Sequence, residues 1–293
     1  MKDPFSMDAL LENLQSLPTL PEVAMKVLQM TANPDVDLQK LETLLSNDPS
    51  LTAKILRVAN SSYYGLSRQV TTLKMALVVL GLEETARLIR AITFLNTFPS
   101  VKVENVFDYG RFWLHSITVA EIVRGLGSRL KLPEASEAST GALLHDMGHL
   151  VLASFFEDDF IEIVNLSRQR HISWNAAESE LIGFDHAEIG AILCKRWNLP
   201  ESIRQVVLFH HRPQQAEKHL ASVYLGYLAN RIACQYGIEV AQDLVPVPII
   251  EDPVWQGLFR LVPAHNSILP ADLVANSEED VKRGEDLHSL LVG

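Results

Sequence analysis

The sequence predicts an all-α fold, a bundle of many helices, and three observations support this prediction. Apolar residues recur at three- and four-residue spacing along most of the chain, which is the period of an amphipathic helix. Valine and isoleucine clusters are short and rarely alternate with polar residues, as they would along a strand. Hydrophobic residues make up 47% of the 293 residues, so the chain can bury a sizeable core.

The first half of the chain is predicted to form five helices, over residues 21–30, 38–45, 49–59, 72–80 and 83–93. Asp48-Pro49 combines a capping side chain with a proline at the first helical position, so the third helix begins there. Gly81 separates the fourth helix from the fifth, because glycine readily ends a helix. Residues 101–108 are predicted to connect this half of the chain to the next.

The second half is predicted to form seven helices, over residues 111–130, 139–155, 160–169, 174–182, 186–197, 203–210 and 221–236. The helix over 139–155 is apolar on nearly every side, so it is predicted to be central and buried. Asp185 with Glu188 three residues later resembles a capping box, which puts His186 in the first turn of the next helix. Prolines cluster after Leu244, and we predict a loop there followed by one or two short helices.

The charge and composition of the chain argue against several classes of protein. The 25 Lys and Arg against 36 Asp and Glu give a net charge of −11, so we expect no nucleic-acid partner. No run reaches the roughly 18 apolar residues of a membrane span, and no basic-then-apolar signal opens the chain, so we expect no membrane association. Cys194 and Cys234 are too few for a disulfide framework and are expected to be reduced thiols of a cytoplasmic protein.

His145-Asp146 is the most informative dipeptide of the chain, because it places an imidazole and a carboxylate inside the apolar run 141–149. A buried ionised carboxylate is costly unless a cation or several donors hold it. The complete set of candidate metal ligands is His115, His145, Asp146, His186, His210 and His211. Imidazoles and carboxylates suit iron, manganese, zinc or nickel, and the lack of thiolates argues against a structural zinc site. Each residue alone is also compatible with an ordinary role, such as a hydrogen-bonded core histidine at 115.

The order of these residues resembles the ligand order of the HD phosphohydrolase superfamily, most closely its HD-GYP branch. The first half is similar to the HDOD domain, the HD-related output domain, in the segments LPTLP (17–21), NDPSLTAKILRVANS (47–61), YG (64–65) and ALVVLGL (76–82). The resemblance covers residues 14–240. It implies an N-terminal helical lobe over 14–106 and an HD-like metal-site lobe over 107–240. Residues 1–13 would be a tail or the start of a first helix, and 241–293 a C-terminal extension.

The resemblance also implies site residues. All six candidate ligands fall on metal-ligand positions of the HD-GYP pattern, so the implied cofactor is one or two ions of Fe, Mn, Zn or Ni. The last aspartate of that pattern is Asn230 here, a weaker and uncharged ligand for a second metal. The lysine that would hold substrate phosphate in catalytic relatives is His149 here, and RPQQ (212–215) replaces the GYP segment. His149 and Arg212 are therefore the candidate phosphate contacts, although Arg212 is equally compatible with a solvated charge at a helix end.

Two functions are compatible with the resemblance. HDOD domains occur in bacterial signalling proteins, and most are thought to lack catalysis, so such a module would act through a signalling protein partner or a bound ligand. The alternative is a metal-dependent phosphohydrolase or phosphodiesterase with Asp146 bridging two metals. The departures at Asn230 and His149 favour the signalling module. Residues 60–65, with Tyr63 and Tyr64, are a candidate partner surface, although both tyrosines could instead pack between helices. The oligomeric state is not predicted.

Overall fold

The structure is a computed structural model, and it describes residues 12, 26–27, 30, 38–46, 48–61, 64–66, 69–98, 103, 106–240, 247–265 and 267–292. Within these ranges every regular element is a helix, apart from an isolated bridge between Val103 and Phe107. The all-α prediction is therefore confirmed for the described residues. Among the same residues, no helix combines the length and the apolarity that crossing a membrane requires.

The small unit, residues 18–99 with 286–293, contains helices α1 (Leu38–Ser46), α2 (Pro49–Ala59), α3 (Leu73–Leu80) and α4 (Leu82–Thr97). Asp48 caps α2, because its carboxylate accepts a hydrogen bond from the backbone N–H of Leu51 at 3.0 Å. Thr72 caps α3 in the same way. Gly81 follows α3 with a φ of +79°, a value that favours glycine. These starts and stops are the predicted ones.

Two predictions for the small unit fall partly outside the described residues. The predicted helix over 21–30 is described only at residues 26–27 and 30, which are helical. Tyr63 also lies outside the described residues, whereas Tyr64 is partly buried and its hydroxyl donates a hydrogen bond to Glu84 of α4. The core of this unit joins side chains from all four helices, including Leu41, Leu45, Ile55, Ala76 and Ile89.

The large unit, residues 1–17 and 100–285, contains α5 (Tyr109–Arg129), α6 (Ala135–Leu144), α7 (Met147–Phe155), α8 (Glu157–Arg170), α9 (Trp174–Ile182), α10 (His186–Arg196), α11 (Glu201–Phe209), α12 (Leu220–Gln235), α13 (Val254–Leu261) and α14 (Pro270–Asn276). Helices α5, α6 and α12 pack on one another, α11 packs on α6, and α10 packs on both α7 and α11. Three short 3-10 helices cover Pro213–Gln215, Ile249–Glu251 and Pro263–His265.

The long buried helix predicted over 139–155 is wrong in one respect, because the chain forms two helices there. Helix α6 ends at Leu144, α7 begins at Met147, and His145 and Asp146 form the turn between them. Both helices are buried, so apolar residues continue across the turn and periodicity does not reveal it. The start of α7 lies against the start of α10: a Cβ at Gly148 would lie 2.0 Å from the carbonyl oxygen of His186.

The region after residue 247 is more helical than the predicted one or two short helices. Besides α13 and α14 it contains α15 (Glu278–Val292), which has 15 residues. Most side chains of α15 are polar or charged. Contacts with α5 hold its beginning, where buried Asp280 forms an ion pair with Arg129 and Gly284 lies against Thr118. Tertiary contacts of this kind cannot be read from local sequence.

Candidate metal centre

The carboxylate of Asp146 lies at the centre of a cluster of imidazoles. Its Oδ2 lies 3.2 Å from Nε2 of His145 and 3.5 Å from Nε2 of His115. Its Oδ1 lies 3.4 Å from Nε2 of His186 and 3.5 Å from Nε2 of His210. All five side chains are buried. Each oxygen of one carboxylate therefore faces its own group of imidazole nitrogens.

Four places in the large unit supply the cluster: α5 (His115), the turn between α6 and α7 (His145 and Asp146), the start of α10 (His186) and the end of α11 (His210 and His211). The capping box of Asp185 and Glu188 is present as predicted, and it fixes His186 as the first residue of α10. His210 is the residue that caps the C-terminal end of α11. All six residues singled out in the sequence are thus brought to one place.

The Nδ1 atoms of three histidines determine which ring nitrogen carries the proton. Nδ1 of His115, His145 and His210 lies 2.8, 2.6 and 2.7 Å, respectively, from a backbone carbonyl oxygen. A carbonyl oxygen only accepts hydrogen bonds, so each of these Nδ1 atoms carries the proton. In a neutral ring, this arrangement leaves Nε2 unprotonated and facing the centre of the cluster.

The Nε2 atoms that face the centre lie so close to one another that a positive charge, either a proton or a metal ion, must lie between them. Nε2 of His115 lies 3.2 Å from Nε2 of His145, so a proton on one of the two nitrogens or a cation between them is needed to avoid two facing lone pairs. Nε2 of His186 lies 3.2 Å from that of His210 and 3.0 Å from that of His211. Within the described residues, this donor set fits two cations that share Asp146. Nitrogen and carboxylate donors of this kind suit first-row transition metals.

The electrostatics of the cluster favour an ionised Asp146 beside neutral His115 and His210. Burial lowers the pKa of His115 to about 4 and the pKa of His210 to about 3, so both rings are neutral near pH 7. Burial alone would raise the pKa of Asp146, but the surrounding histidines, His145 foremost, outweigh it and hold this pKa well below its usual range. An ionised carboxylate beside the neutral nitrogen donors of His115 and His210 is an arrangement that favours a cation.

His186 differs from the other imidazoles in its charge environment. Burial would lower the pKa of His186, but the carboxylates of Glu178 and Asp146 outweigh it and raise this pKa well above the ordinary value. The two carboxylates therefore favour a positive charge on or beside this ring, whether a proton or a metal ion. A metal ion at Nε2 would have to displace the proton.

Glu178 of α9 belongs to the cluster, and sequence reasoning missed it. It is completely buried, and its Oε2 accepts hydrogen bonds from the backbone N–H of His186 at 2.8 Å and from Nδ1 of the same ring at 2.7 Å. Its Oε1 lies 3.0 Å from Nε2 of His149, without the alignment of a hydrogen bond. One signal could have identified it: Glu178 follows the buried Trp174 and Ala177 at helical spacing, so it lies on the buried side of α9.

A cavity of about 320 Å³, including open solvent, lies against the cluster. Candidate ligands of both groups line it, together with Asn230 and His149. The ring of His149 lies tilted against that of His186 with the ring centroids 3.9 Å apart, and among the described residues its buried Nδ1 has no hydrogen-bond partner. Arg212 instead pairs with the carboxylate of Asp185. Of the two predicted phosphate contacts, only His149 lines the cavity.

Comparison with known sequences identifies a family and one distant relative. A family model for the HDOD domain matches residues 17–213. An uncharacterized protein of Treponema pallidum is 24% identical over 209 residues, which are 71% of this chain and 40% of that protein. The chain therefore spans less than half the length of that relative.

Solved structures share the fold over nearly the whole chain. An HDOD domain protein of unknown function from Geobacter sulfurreducens is 25% identical with a TM-score of 0.86, and 97% of each chain is covered. A candidate phosphohydrolase from Shewanella amazonensis is 26% identical with a TM-score of 0.74, over 97% of this chain and 98% of that one. A candidate signal transduction protein from Marinobacter aquaeolei has a TM-score of 0.79 at 22% identity, over 97% and 61%, which shows the fold alone.

Proposed function

Because this chain belongs to the HDOD family, we propose that it is a bacterial signal-transduction module that retains an HD-type site for two divalent transition metal ions. The position of Asp146 between two groups of imidazole nitrogens carries this proposal. His115, His145 and Oδ2 of Asp146 would hold one ion. Oδ1 of Asp146, with the other three histidines, would hold the second. The module would act on a signalling protein partner.

The protonation pattern supports a metal site over a purely structural cluster. A structural cluster of buried polar groups is stable when each donor meets an acceptor. Here backbone carbonyl oxygens already accept from the Nδ1 atoms of His115 and His145, and the two Nε2 atoms face each other 3.2 Å apart. A cation between them would satisfy both nitrogens, and each ion bound only by the native state would stabilise it by about 2.7 kcal/mol at a concentration one hundred times its dissociation constant.

Metal binding tests the proposal directly. Metal-free protein titrated with Mn²⁺ should bind two ions, and their electron paramagnetic resonance spectrum should show a spin-coupled pair because one carboxylate bridges them. Asp146→Asn should abolish the coupled signal and weaken both sites. His219→Asn, at an exposed histidine, is the matched control and should bind like the wild type. Binding of no ion, or of a single ion that Asp146→Asn does not affect, would contradict the proposal.

A second candidate function is metal-dependent phosphoester hydrolysis, and the cavity beside the cluster favours it. The cavity gives a small molecule access to candidate ligands of both groups and to His149. Two bound ions would supply a Lewis acid for a phosphoryl oxygen and lower the pKa of a bound water. His149 would position the phosphate through its ring N–H. The similar structure from Shewanella amazonensis, a candidate phosphohydrolase, is consistent with this function.

Hydrolysis of a generic phosphodiester separates the two functions. Mn²⁺-loaded protein would be assayed with bis(p-nitrophenyl) phosphate, beside His145→Ala, Asp146→Ala and the control His219→Asn. Turnover that both site variants lose and the control retains would establish the enzyme. Metal binding without turnover would support the signalling module.

A further inference from the structure

The histidines of the cluster differ in what their Nδ1 atoms contact. Nδ1 of His115, His145 and His210 donates to neutral backbone carbonyl oxygens. Nδ1 of His186 lies 2.7 Å from a carboxylate oxygen of Glu178. A carboxylate polarises an imidazole N–H more strongly than a carbonyl does, and this makes the opposite ring nitrogen a better metal donor.

The geometry around Glu178 fixes the ring of His186 in one orientation. A single oxygen, Oε2, accepts from both the backbone N–H and the Nδ1 of His186. These two bonds leave the ring no freedom to turn Nδ1 toward the centre of the cluster. The Nε2 atom is therefore the one that faces Asp146, at 3.4 Å.

The groups around Glu178 stabilise its ionised carboxylate in the absence of solvent. Its side chain is completely buried, so an ionised form needs favourable partners. His186 is the first residue of α10, and the unpaired N–H groups and dipole at a helix N-terminus stabilise an anion. A second negative charge thus lies behind His186, on the side away from Asp146. The Nδ1 atoms of His115, His145 and His210 contact backbone carbonyl oxygens instead.

We propose that Glu178 is a positioning residue for the metal pair, which it serves by setting the tautomer and the donor strength of His186. This inference rests on the proposed metal site. It predicts that the site formed by His186, His210 and His211 binds its ion more tightly than the other site. The site formed by His115 and His145 lacks such a carboxylate and fills second.

The alternative is that Glu178 only joins α9 to the start of α10. A Glu178→Gln variant distinguishes the two roles, because glutamine retains an oxygen acceptor for Nδ1 but removes the charge. Glu121→Gln is a matched control: Glu121 is also a buried glutamate of the large unit, and it pairs with Arg124 of the same helix. Both variants would be titrated with Zn²⁺ by calorimetry as the metal-free 293-residue chain.

We expect Glu178→Gln to weaken the tighter of the two Zn²⁺ sites by about 10- to 100-fold, the usual effect of removing such a partner. The weaker site and the Glu121→Gln control should keep their wild-type affinities. Equal affinities in Glu178→Gln and the wild type, or an equal loss at both sites, would overturn the positioning role. Wild-type protein that binds no Zn²⁺ would overturn the metal site itself, and the wild-type titration alone reveals that outcome.

A measurement on the wild type keeps the inference testable if Glu178→Gln does not fold. In Zn²⁺-loaded protein, nitrogen-15 NMR of the imidazoles should show every Zn²⁺-bound cluster ring protonated at Nδ1. One Nδ1 proton should be shifted further downfield than the others, because its acceptor is charged. Equivalent Nδ1 protons on all bound rings would show that Glu178 does not distinguish His186.

Discussion

Nη1 of Arg212 lies 3.1 Å from Oδ2 of Asp185, and Nη2 lies 3.3 Å from the other oxygen of the same carboxylate. Asp185 precedes His186, and Arg212 follows His211, so this pair joins the start of α10 to the chain just after α11. The carboxylate is buried, while about a quarter of the guanidinium side chain is exposed. The pair therefore holds together two segments that both supply candidate ligands.

Two substitutions at Asp185 should separate its two roles. Asp185→Asn keeps a capping oxygen for α10 but removes the charge opposite Arg212, and we expect it to cost about 1 kcal/mol of unfolding free energy, as for a partly exposed ion pair. Asp185→Ala also loses the cap and should cost about 1 kcal/mol more. Urea unfolding of the metal-free protein measures both. Arg212→Met should match Asp185→Asn, and an unchanged stability in Arg212→Met would refute the role of the pair.

Local signals in the sequence were sufficient for many elements. The bounds of α9 (Trp174–Ile182) and the caps at Asp48 and Asp185 agree with prediction because each depends on residues within one turn. Long-range packing accounts for the differences. The turn at His145-Asp146 lies inside a continuous apolar run, and α15 depends on the contact of Asp280 with Arg129 across 151 residues.

For the candidate site, too, some residues could be predicted from the sequence and one could not. The residues alone suggested the six ligands but left an ordinary role open for each histidine, and the resemblance then supported the group that the structure brings together. Glu178 is the residue that this reasoning could not place. It is eight residues before His186, on a different helix, and only the packing of α9 on α10 brings its carboxylate to that ring.

Gly148 should be intolerant of any side chain. A Cβ there would lie 2.0 Å from the carbonyl oxygen of His186 and 2.7 Å from its Cα, and backbone atoms cannot move aside cheaply. We expect Gly148→Ala to lower the unfolding free energy by about 1–3 kcal/mol, the range for overpacking. Gly110→Ala is the control, since its Cβ would approach only a side-chain oxygen of Asp108 at 3.3 Å. Equal unfolding free energies for the two variants would show that the helices adjust freely.

Acid should destabilise the metal-free protein before its carboxylates titrate. Burial lowers the pKa of His115 to about 4 and of His210 to about 3, whereas both are near 6.5 in the unfolded chain. Below pH 6.5 the unfolded chain binds protons that the native chain excludes, so stability falls as the pH falls from 6.5 towards 4. His186 has the opposite shift, and its contribution is fully present below pH 6.5, so it does not offset this loss.

Urea midpoints of the metal-free protein at pH 7, 6 and 5 measure this dependence. We expect the midpoint to decrease at each step, and His219→Asn, at an exposed histidine, to show the same slope as the wild type. His210→Asn removes one of the two groups and should have a shallower slope. A midpoint that does not change between pH 7 and pH 5 would mean that His115 and His210 are already protonated in the native protein.

The two cysteines should differ sharply in reactivity. Cys194 is buried in α10, and burial raises the pKa of its thiol to about 12, so almost no thiolate forms at pH 8. Cys234 is partly exposed and lines the cavity beside Asn230. A chromogenic thiol reagent should therefore modify one cysteine in the native metal-free protein and both after denaturation. In the folded protein, Cys234→Ser should abolish the reaction with the reagent and Cys194→Ser should retain it. Rapid modification of Cys194 in the folded protein would show that α10 opens readily and that the cluster beside it is not rigidly held.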